Sequence, residues 1–245
     1  MTDTAFQPLE IVYMDDHMVA INKPHGLVVH RSGETRDATR HALQLLRNQI
    51  RRYVYPVHRL DRKTSGVLLF ALDEQTNVAL HALFKERQIE KVYHAIVRGY
   101  TDDEGLIDRP LKNKTTGVYQ DAVTRFRTLA RRELPIPSGG FPTSRYSLVE
   151  LYPLTGRRHQ LRRHLARAGH PIIGDRPHGC NKQNRIWKEH FGITEMLLHA
   201  SSLRFKHPIT GQEILICARE HEPFSRARQI LDLPPQALPC PAHDA

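Results

Sequence analysis

A continuous apolar run from Gly66 to Leu72 constrains the fold of this chain more than any other feature of its sequence. The run directly follows the polar stretch His58–Ser65, and its length and composition suit a strand buried within a sheet. Shorter runs rich in β-forming residues predict further strands at 9–14, 18–22, 27–30, 91–97, 123–129, 146–151, 196–205 and 213–217. Apolar residues recur with a clear helical period over 38–50, 74–84 and 159–168. Because strands and helices mix without regular βαβ alternation, we predict an α+β fold with a mixed, largely antiparallel central β-sheet and flanking helices.

The length of the chain and its hydrophobic content predict one domain. The 245 residues are 40% hydrophobic, which is enough for a sizeable core. We expect a single domain over 1–233, followed by a disordered tail over 234–245 that contains four prolines. The sequence has no coiled-coil heptads, and we therefore expect a monomer.

Three features predict a soluble, cytoplasmic protein. No apolar run approaches the roughly 20 residues of a membrane span. The N-terminus has no basic cluster of the kind that begins a secretory signal. The three cysteines are an odd number without a close pair, which argues against a disulfide scaffold and for a reducing compartment.

The charge of the chain is positive and unevenly distributed. Lysine and arginine number 36 against 26 aspartates and glutamates, which gives a formal net charge of +10. Between Arg145 and His190, ten of these bases stand against three acids. Clustered guanidinium groups suit phosphate, because each presents a planar fork of donors. The charge therefore indicates an anionic partner, and a solvated basic face is the alternative interpretation.

The stretch His58–Gly66, which reads His-Arg-Leu-Asp-Arg-Lys-Thr-Ser-Gly, places one carboxylate among three bases. Neighbouring cations favour the ionised form of Asp61, and an ionised carboxylate on a loop can act as a nucleophile or stabilise positive charge on a sugar. One alternative is an Asx-type turn without chemistry. Another is the His-Arg-Asp triplet of protein kinases, which the absence of a glycine-rich nucleotide loop and of Asp-Phe-Gly excludes.

The same stretch resembles the signature of the ribosomal-large-subunit-A type family of pseudouridine synthases. Three further stretches match the motifs of this family in the expected order: Asn22–His30, Lys91–Val97 and Thr155–Arg162. Together with the predicted strands around them, the four motifs extend the resemblance over nearly the whole chain. It implies the pseudouridine synthase catalytic fold and the isomerisation of uridine to pseudouridine in RNA. Family members tend to carry a small residue where this chain has His25.

The resemblance implies a role for each matching residue. Asp61 matches the catalytic aspartate, and Arg162 matches the arginine that pairs with it. Tyr93 matches the tyrosine of the base pocket, where its ring would stack on the extruded uracil and its hydroxyl could move a proton. Arg59 matches the residue that enters the RNA stack where the uridine left, and Leu161 matches an apolar wall of the pocket. Without the motifs, Tyr93 is an ordinary strand tyrosine, Arg59 a surface arginine and Leu161 a core leucine.

Basic residues outside the catalytic set are predicted to bind RNA. Arg62 adjoins Asp61, and Arg163 and Arg167 belong to the basic stretch, so we assign all three to RNA contacts. The isomerisation is redox-neutral and uses no external group, and we therefore expect no cofactor. The sixteen histidines show no metal-ligand spacing, and we expect no metal.

The expected partner is tRNA. The first matching motif begins at Asn22, so we expect the catalytic domain to act without an N-terminal S4-like module. The stretches 140–151, 156–165, 170–175 and 184–185 resemble those of bacterial family members that modify uridine 65 of tRNA. Ribosomal RNA as the substrate, and an RNA-binding protein without catalysis, are the alternatives. Attack of Asp61 at the sugar C1′, attack at the base C6 and assisted glycal formation are all compatible with the sequence.

Overall fold

A mixed ten-stranded sheet dominates the computed structural model, which describes residues 8–30 and 40–236. The strands in these ranges are β1 (Ile11–Met14), β2 (Met18–Lys23), β3 (Tyr55–Pro56), β4 (Ser65–Ala71), β5 (Glu90–Arg98), β6 (Glu104–Asp108), β7 (Leu111–Lys112), β8 (Tyr119–Gln120), β9 (Val123–Leu134), β10 (Ser144–Pro153), β11 (Leu198–Lys206) and β12 (Glu213–Cys217). The helices are α1 (Ala42–Ile50), α2 (Glu74–Lys85), α3 (Gln160–Arg167), α4 (Asn181–Phe191) and α5 (Glu222–Ile230).

The sheet runs in the order β1-β2-β4-β11-β5-β10-β9-β6, with β12 added to β11 and β3 to β4. The strand pairs of the described chain are antiparallel except β4 with β11, where Gly66 lies opposite Ala200. A Cβ atom at position 66 would collide with the backbone of Ala200, and the φ of Gly66 is +109°. Only glycine therefore allows these two strands to approach. The small hairpin of β7 and β8 forms a separate sheet.

Helices cover both faces of the sheet because its central strands are apolar on both sides. On β4, Leu68 and Phe70 pack in the same cluster as Leu46 of α1. The alternate residue Val67 packs with Leu80 of α2, on the opposite face. All seven residues of β4 are buried, which agrees with the strand predicted from the apolar run.

The neighbouring strands repeat this arrangement further along the sheet. Val149 of β10 packs with Leu165 of α3, whereas Leu148 packs with the buried Trp187 of α4. Tyr93 of β5 contacts both the α1 cluster and the α3 cluster. Tyr93 therefore lies between α1 and α3, on one face of the sheet.

The predicted α+β fold with a largely antiparallel sheet is confirmed, and its differences from the structure are local. Residues 27–30 form no strand, and only Val28 makes an isolated bridge, to His41. The helix predicted over 38–50 begins at Ala42, and residues 38–39 lie outside the described ranges. Helices α4 and α5 were not predicted, because their few apolar residues give no clear helical period in the sequence.

The C-terminal segment, the cysteines and the lengths of the helices bear on the remaining expectations. Of the predicted tail, residues 237–245 lie outside the described ranges, while the carbonyl of Pro234 accepts a hydrogen bond from Arg228. Among the cysteines of the described ranges, Cys180 is a free thiol. Among the helices of the described ranges, none combines the length and apolar character needed to cross a bilayer.

Candidate active site

Asp61 lies in the loop between β3 and β4, and this loop is held at both ends. The amide of Thr64 donates to the carbonyl of Asp61 over 3.0 Å, which closes a tight turn just before β4 begins. At the start of the loop, Nε2 of His58 accepts a hydrogen bond of 3.0 Å from the amide of Leu69. Burial lowers the pKa of His58 to about 3, which suits this neutral acceptor role. The loop leaves the Asp61 side chain 22% exposed.

Arg162 joins Asp61 to a second, buried carboxylate. Its Nη1 donates to Oδ2 of Asp61 over 2.8 Å. Its Nε and Nη2 donate to the two oxygens of Asp175 over 2.7 and 2.9 Å. Burial alone would raise the pKa of the Asp175 carboxyl, but the hydrogen bonds and the charge of Arg162 outweigh it and lower that pKa. The bidentate pair fixes the plane of the guanidinium, and the remaining nitrogen is thereby aimed at Asp61.

The turn that carries Asp175 is itself fastened to α4. Asn184 donates from its side chain to the carbonyl of Asp175 over 2.8 Å and accepts from the amide of Gly174 at the same distance. A Cβ atom at Gly179 would collide with the carbonyl of Asp175. The helix that the sequence did not reveal therefore positions the carboxylate that orients Arg162.

Tyr93 lies beside this charged cluster on β5. Burial raises the pKa of Tyr93 well above its usual value, and the nearby negative charge of Asp61 raises it further. The phenol is therefore protonated at neutral pH. Because its ring also packs against apolar residues of two clusters, the ring plane is fixed at the edge of the site.

The first motif contacts the Asp61 loop through a buried lysine. Lys23 is fully buried at the end of β2, and its Nζ donates to the carbonyls of Pro24, Leu27 and Arg62. Burial lowers the pKa of Lys23 to about 7, although the charge of Asp61 acts in the opposite direction.

Gly26 adds a backbone clamp beside Lys23. Its amide donates to the carbonyl of Arg62 over 2.8 Å, and Nε of Arg62 donates to its carbonyl over 3.1 Å. The adjacent His25 accepts a hydrogen bond of 3.4 Å from the amide of Met196. The first motif thus supports the backbone directly after Asp61.

His159 lies near Asp61, and His178 lies against His159. Nε2 of His159 is 3.9 Å from Oδ1 of Asp61, the oxygen that Arg162 does not hold. Nδ1 of His159 lies 3.0 Å from Nε2 of His178. Burial is the main reason that the pKa of His159 falls to about 4, and neighbouring arginines contribute to this decrease.

A basic groove opens next to His159. The cavity has a volume of about 340 Å³. Among the described residues, its lining includes six lysines and arginines and no acid: Arg59, Lys112, Lys114, Arg157, Arg158 and Arg163. The β7–β8 hairpin forms one wall of this groove, and its exposed Tyr119 lies opposite Lys112 in the strand register.

The structure separates the residues predicted to bind RNA into three groups. Arg59 and Arg163 line the groove, and Arg163 also donates to the carbonyl of Lys112. Arg62 is exposed beside Asp61, and Arg167 is exposed further along α3, where it donates to the carbonyl of Pro110. Leu161 is 7% exposed and packs within the α3 cluster.

Sequence reasoning did not single out Lys23, Asp175, His159 or His178, although all four lay within or beside stretches that resembled the family. A weak signal existed for two of them. Lys23 ends a run of apolar strand residues, and Asp175 follows the apolar segment 171–174. A charged residue at the end of an apolar segment needs a partner when it is buried, which marks it for attention.

A carboxylate held by an arginine, a protonated tyrosine beside it and an adjoining basic groove suit an enzyme that acts on RNA. A family model described as RNA pseudouridylate synthase matches residues 17–167. The chain therefore belongs to the RNA pseudouridylate synthase family. This makes the protein an isomerase that converts uridine to pseudouridine in RNA.

Relatives and solved structures agree with this membership. The chain is 48% identical over 220 residues to the tRNA pseudouridine synthase C of Vibrio cholerae, covering 86% of this chain and 90% of the relative. It is 49% identical over the same length to the protein of that name from Pasteurella multocida, again covering 86% and 90%. The structure of human RNA Pseudouridylate Synthase Domain Containing 4 superimposes with a TM-score of 0.70 at 26% identity, covering 93% of this chain and 95% of the human one.

Proposed function

We propose that this protein converts uridine 65 in the T-stem of tRNA to pseudouridine. Support comes from the tRNA pseudouridine synthase C relatives, which share almost half of their residues with this chain over 86% of its length. The resemblance of the stretches around 140–185 to synthases that act on uridine 65 supports the particular site. The basic groove beside the carboxylate suits an RNA backbone.

Asp61 is the catalytic residue in this proposal, and the observation that carries it is the Asp61–Arg162–Asp175 network. A carboxylate in a closed RNA complex needs a permanent cation to remain ionised, and an arginine supplies one that does not titrate. The ionised Asp61 assists cleavage of the glycosidic bond, and the detached uracil turns over and rejoins the sugar through carbon.

Tyr93 is proposed to hold the extruded base. Its ring, fixed between two apolar clusters, offers a stacking surface that offsets part of the stacking lost on extraction. Because the phenol stays protonated, it can also donate a hydrogen bond to the base during turnover. Leu161 supplies apolar contact from α3.

RNA binding is assigned to the groove and the arginines around it. Arg59 would enter the space that the uridine leaves, and Arg62, Arg163 and Arg167 would contact the backbone. If about six of the lysines and arginines in and around the groove each neutralise one phosphate, affinity should fall by about a thousandfold between 50 and 200 mM salt. The major groove of A-form RNA is too narrow for side chains to read, so the T-stem would be recognised through its backbone and 2′-hydroxyl groups.

The test of this function is modification of an unmodified tRNA transcript by the purified protein. Pseudouridine mapping should find the product at position 65, and a transcript with cytidine at that position should give no signal. Modification of a 23S rRNA fragment with no modification of the tRNA transcript would overturn the tRNA assignment in favour of ribosomal RNA.

The role of Asp61 is tested separately by Asp61→Asn. This variant keeps the size of the side chain and should bind tRNA normally, but its single-turnover rate should fall by several orders of magnitude, each tenfold being about 1.4 kcal/mol of barrier. Binding without turnover in the wild-type protein as well would indicate an RNA-binding protein rather than an enzyme.

A further inference from the structure

His159 holds an unusual backbone conformation directly before α3. Its φ is +53°, in the left-handed region, and its side chain makes no capping hydrogen bond to the helix. A non-glycine residue is disfavoured in this region, and no capping hydrogen bond from His159 offsets the conformational energy. The conformation instead directs the imidazole to a position between Asp61 and His178. There the ring also lines the basic groove.

The two imidazoles share one hydrogen, and the neighbouring carboxylate favours its donation by His178. With both rings neutral, either His159 donates from Nδ1 or His178 donates from Nε2. In the first case, His159 would turn the lone pair of Nε2 toward Oδ1 of Asp61, 3.9 Å away, which is repulsive. In the second case, His159 carries its proton on Nε2 and directs it at that oxygen. Electrostatics therefore favours donation by His178.

The partners of Asp61 are divided between its two oxygens. Arg162 binds Oδ2 at 2.8 Å, and Nε2 of His159 is the nitrogen that faces Oδ1. An approach of about 1 Å would bring this pair to ordinary hydrogen-bonding distance. Because His159 lines the groove, bound RNA would exclude water around this contact and strengthen it.

We propose that His159, with its proton placed on Nε2 by His178, is a positioning residue that holds Oδ1 of Asp61 during turnover. The proposal rests on the proposed catalytic role of Asp61. Arg162 and His159 would then fix both oxygens of the carboxylate. His178 acts only through His159, as an outer partner that, together with Asp61, fixes the tautomer of the inner ring.

Other charged groups face the histidine pair. Asp61, Arg158 and Arg162 surround His159, while Asp175, Lys114 and Arg163 act on His178 in addition to Arg162. The cations, together with burial, keep both rings neutral: the pKa of His159 is about 4, and that of His178 is also lowered, by burial above all. The argument from neutral tautomers therefore applies near neutral pH.

Matched substitutions separate donation from packing. His159→Gln and His178→Gln each retain an N–H donor at the position of Nε2, whereas His159→Leu and His178→Leu retain only the bulk. The two leucine variants should lose about tenfold to a hundredfold in single-turnover rate on the tRNA transcript, the range for a hydrogen bond to a charged group. The enzyme concentration that gives half of the maximal single-turnover rate should change little. The glutamine variants should recover most of the rate. His190→Leu, an exposed site on α4, serves as the control.

The tautomer can be measured without activity. In protein labelled with ¹⁵N-histidine, the His159 ring should show a protonated Nε2 and an unprotonated Nδ1 near neutral pH, and His178→Leu should shift it to a mixture of tautomers. The signals are assigned by their loss in His159→Gln.

Three results would overturn the proposal: a proton on Nδ1 of His159, a wild-type rate for His159→Leu, or a glutamine variant as slow as its leucine counterpart. Asp61→Asn distinguishes these from failure of the proposed function. If that variant remains active, the role of Asp61 fails, whereas an inactive Asp61→Asn beside a fully active His159→Leu refutes the positioning role alone.

Discussion

Arg162→Lys tests whether the geometry of the guanidinium, and not only its charge, holds the site together. In the structure, three different nitrogens of Arg162 donate to three carboxylate oxygens over 2.7, 2.8 and 2.9 Å. A lysine ammonium is a single nitrogen on a straight stem, and it cannot occupy three positions around a plane. We expect it to stay near Asp175 and to release Asp61.

The cost follows from the bonds that are lost. Remaining near Asp175, the ammonium would forfeit one bond of the bidentate pair and the bond to Asp61. Hydrogen bonds to charged groups contribute about 1.5–3 kcal/mol each, so we expect the free energy of unfolding to fall by about 3–5 kcal/mol. The bond to Asp61 contributes the smaller part, because that side chain is 22% exposed.

Urea unfolding followed by tryptophan fluorescence measures this loss. Trp187 is the only tryptophan of the chain and is fully buried, so its emission reports the folded state. Arg163→Lys is the matched stability control, since Arg163 is the next residue on α3 and makes its hydrogen bond to a backbone carbonyl. Single-turnover rate on tRNA should fall at least a hundredfold in Arg162→Lys, about 2.7 kcal/mol of barrier. A lysine variant within about 1 kcal/mol of the wild type, with an unchanged rate, would refute the argument from geometry.

Three further predictions concern Lys23, Glu150 and Gly66. Lys23→Met removes three hydrogen bonds to loop carbonyls, and thermal unfolding should show a lower Tm together with slower turnover; a wild-type rate would mean that the loop is held without this side chain. Nε2 of His94, 3.6 Å from Oε2 of Glu150, is the main reason that the pKa of Glu150 is lowered from 4.5 to about 2. The contribution of Glu150 to stability is therefore present above pH 4.5 and lost as the pH falls toward 2. The acid side of the stability profile should be flatter in Glu150→Gln, and an unchanged slope would contradict this linkage. Gly66→Ala forces a Cβ into the backbone of Ala200 and should destabilise the fold by about 4 kcal/mol or more, whereas Gly156→Ala, with open space around it, should be tolerated in the same urea titration.

Much of the sheet could be predicted from the sequence because its strands carry strong local signals. The strand from Ser65 to Ala71 is apolar from Gly66 onward, and the hairpin of β1 and β2 has a polar turn between two β-rich runs. Helix α4 gave no such signal, because only Ile186 and Trp187 and the terminal Phe191 are apolar among its residues. Its position is decided by tertiary packing, which local periodicity does not record.

The candidate site shows the same division between local and distant information. Asp61 stood out because three bases adjoin it in the sequence, but its contact with Arg162 joins residues 101 positions apart and was expected only from the family resemblance. Asp175 carries only the weak local mark of following an apolar segment, since its bidentate bond exists only once α3 and the turn before α4 are assembled. The catalytic roles themselves remain predictions until the substitutions are made.

The four motifs meet at one place in this structure, because the second forms the Asp61 loop and the other three contact this loop or its side chain. The first motif supports the loop backbone through Lys23 and Gly26, and the third places Tyr93 beside the carboxylate. The fourth motif holds the carboxylate through Arg162. Substitutions of these contacting residues should therefore change the rate of the chemical step. The β7–β8 hairpin makes a wall of the basic groove instead, so neutralising Lys112 or Lys114 should weaken tRNA binding and flatten its salt dependence while the rate at saturation stays unchanged.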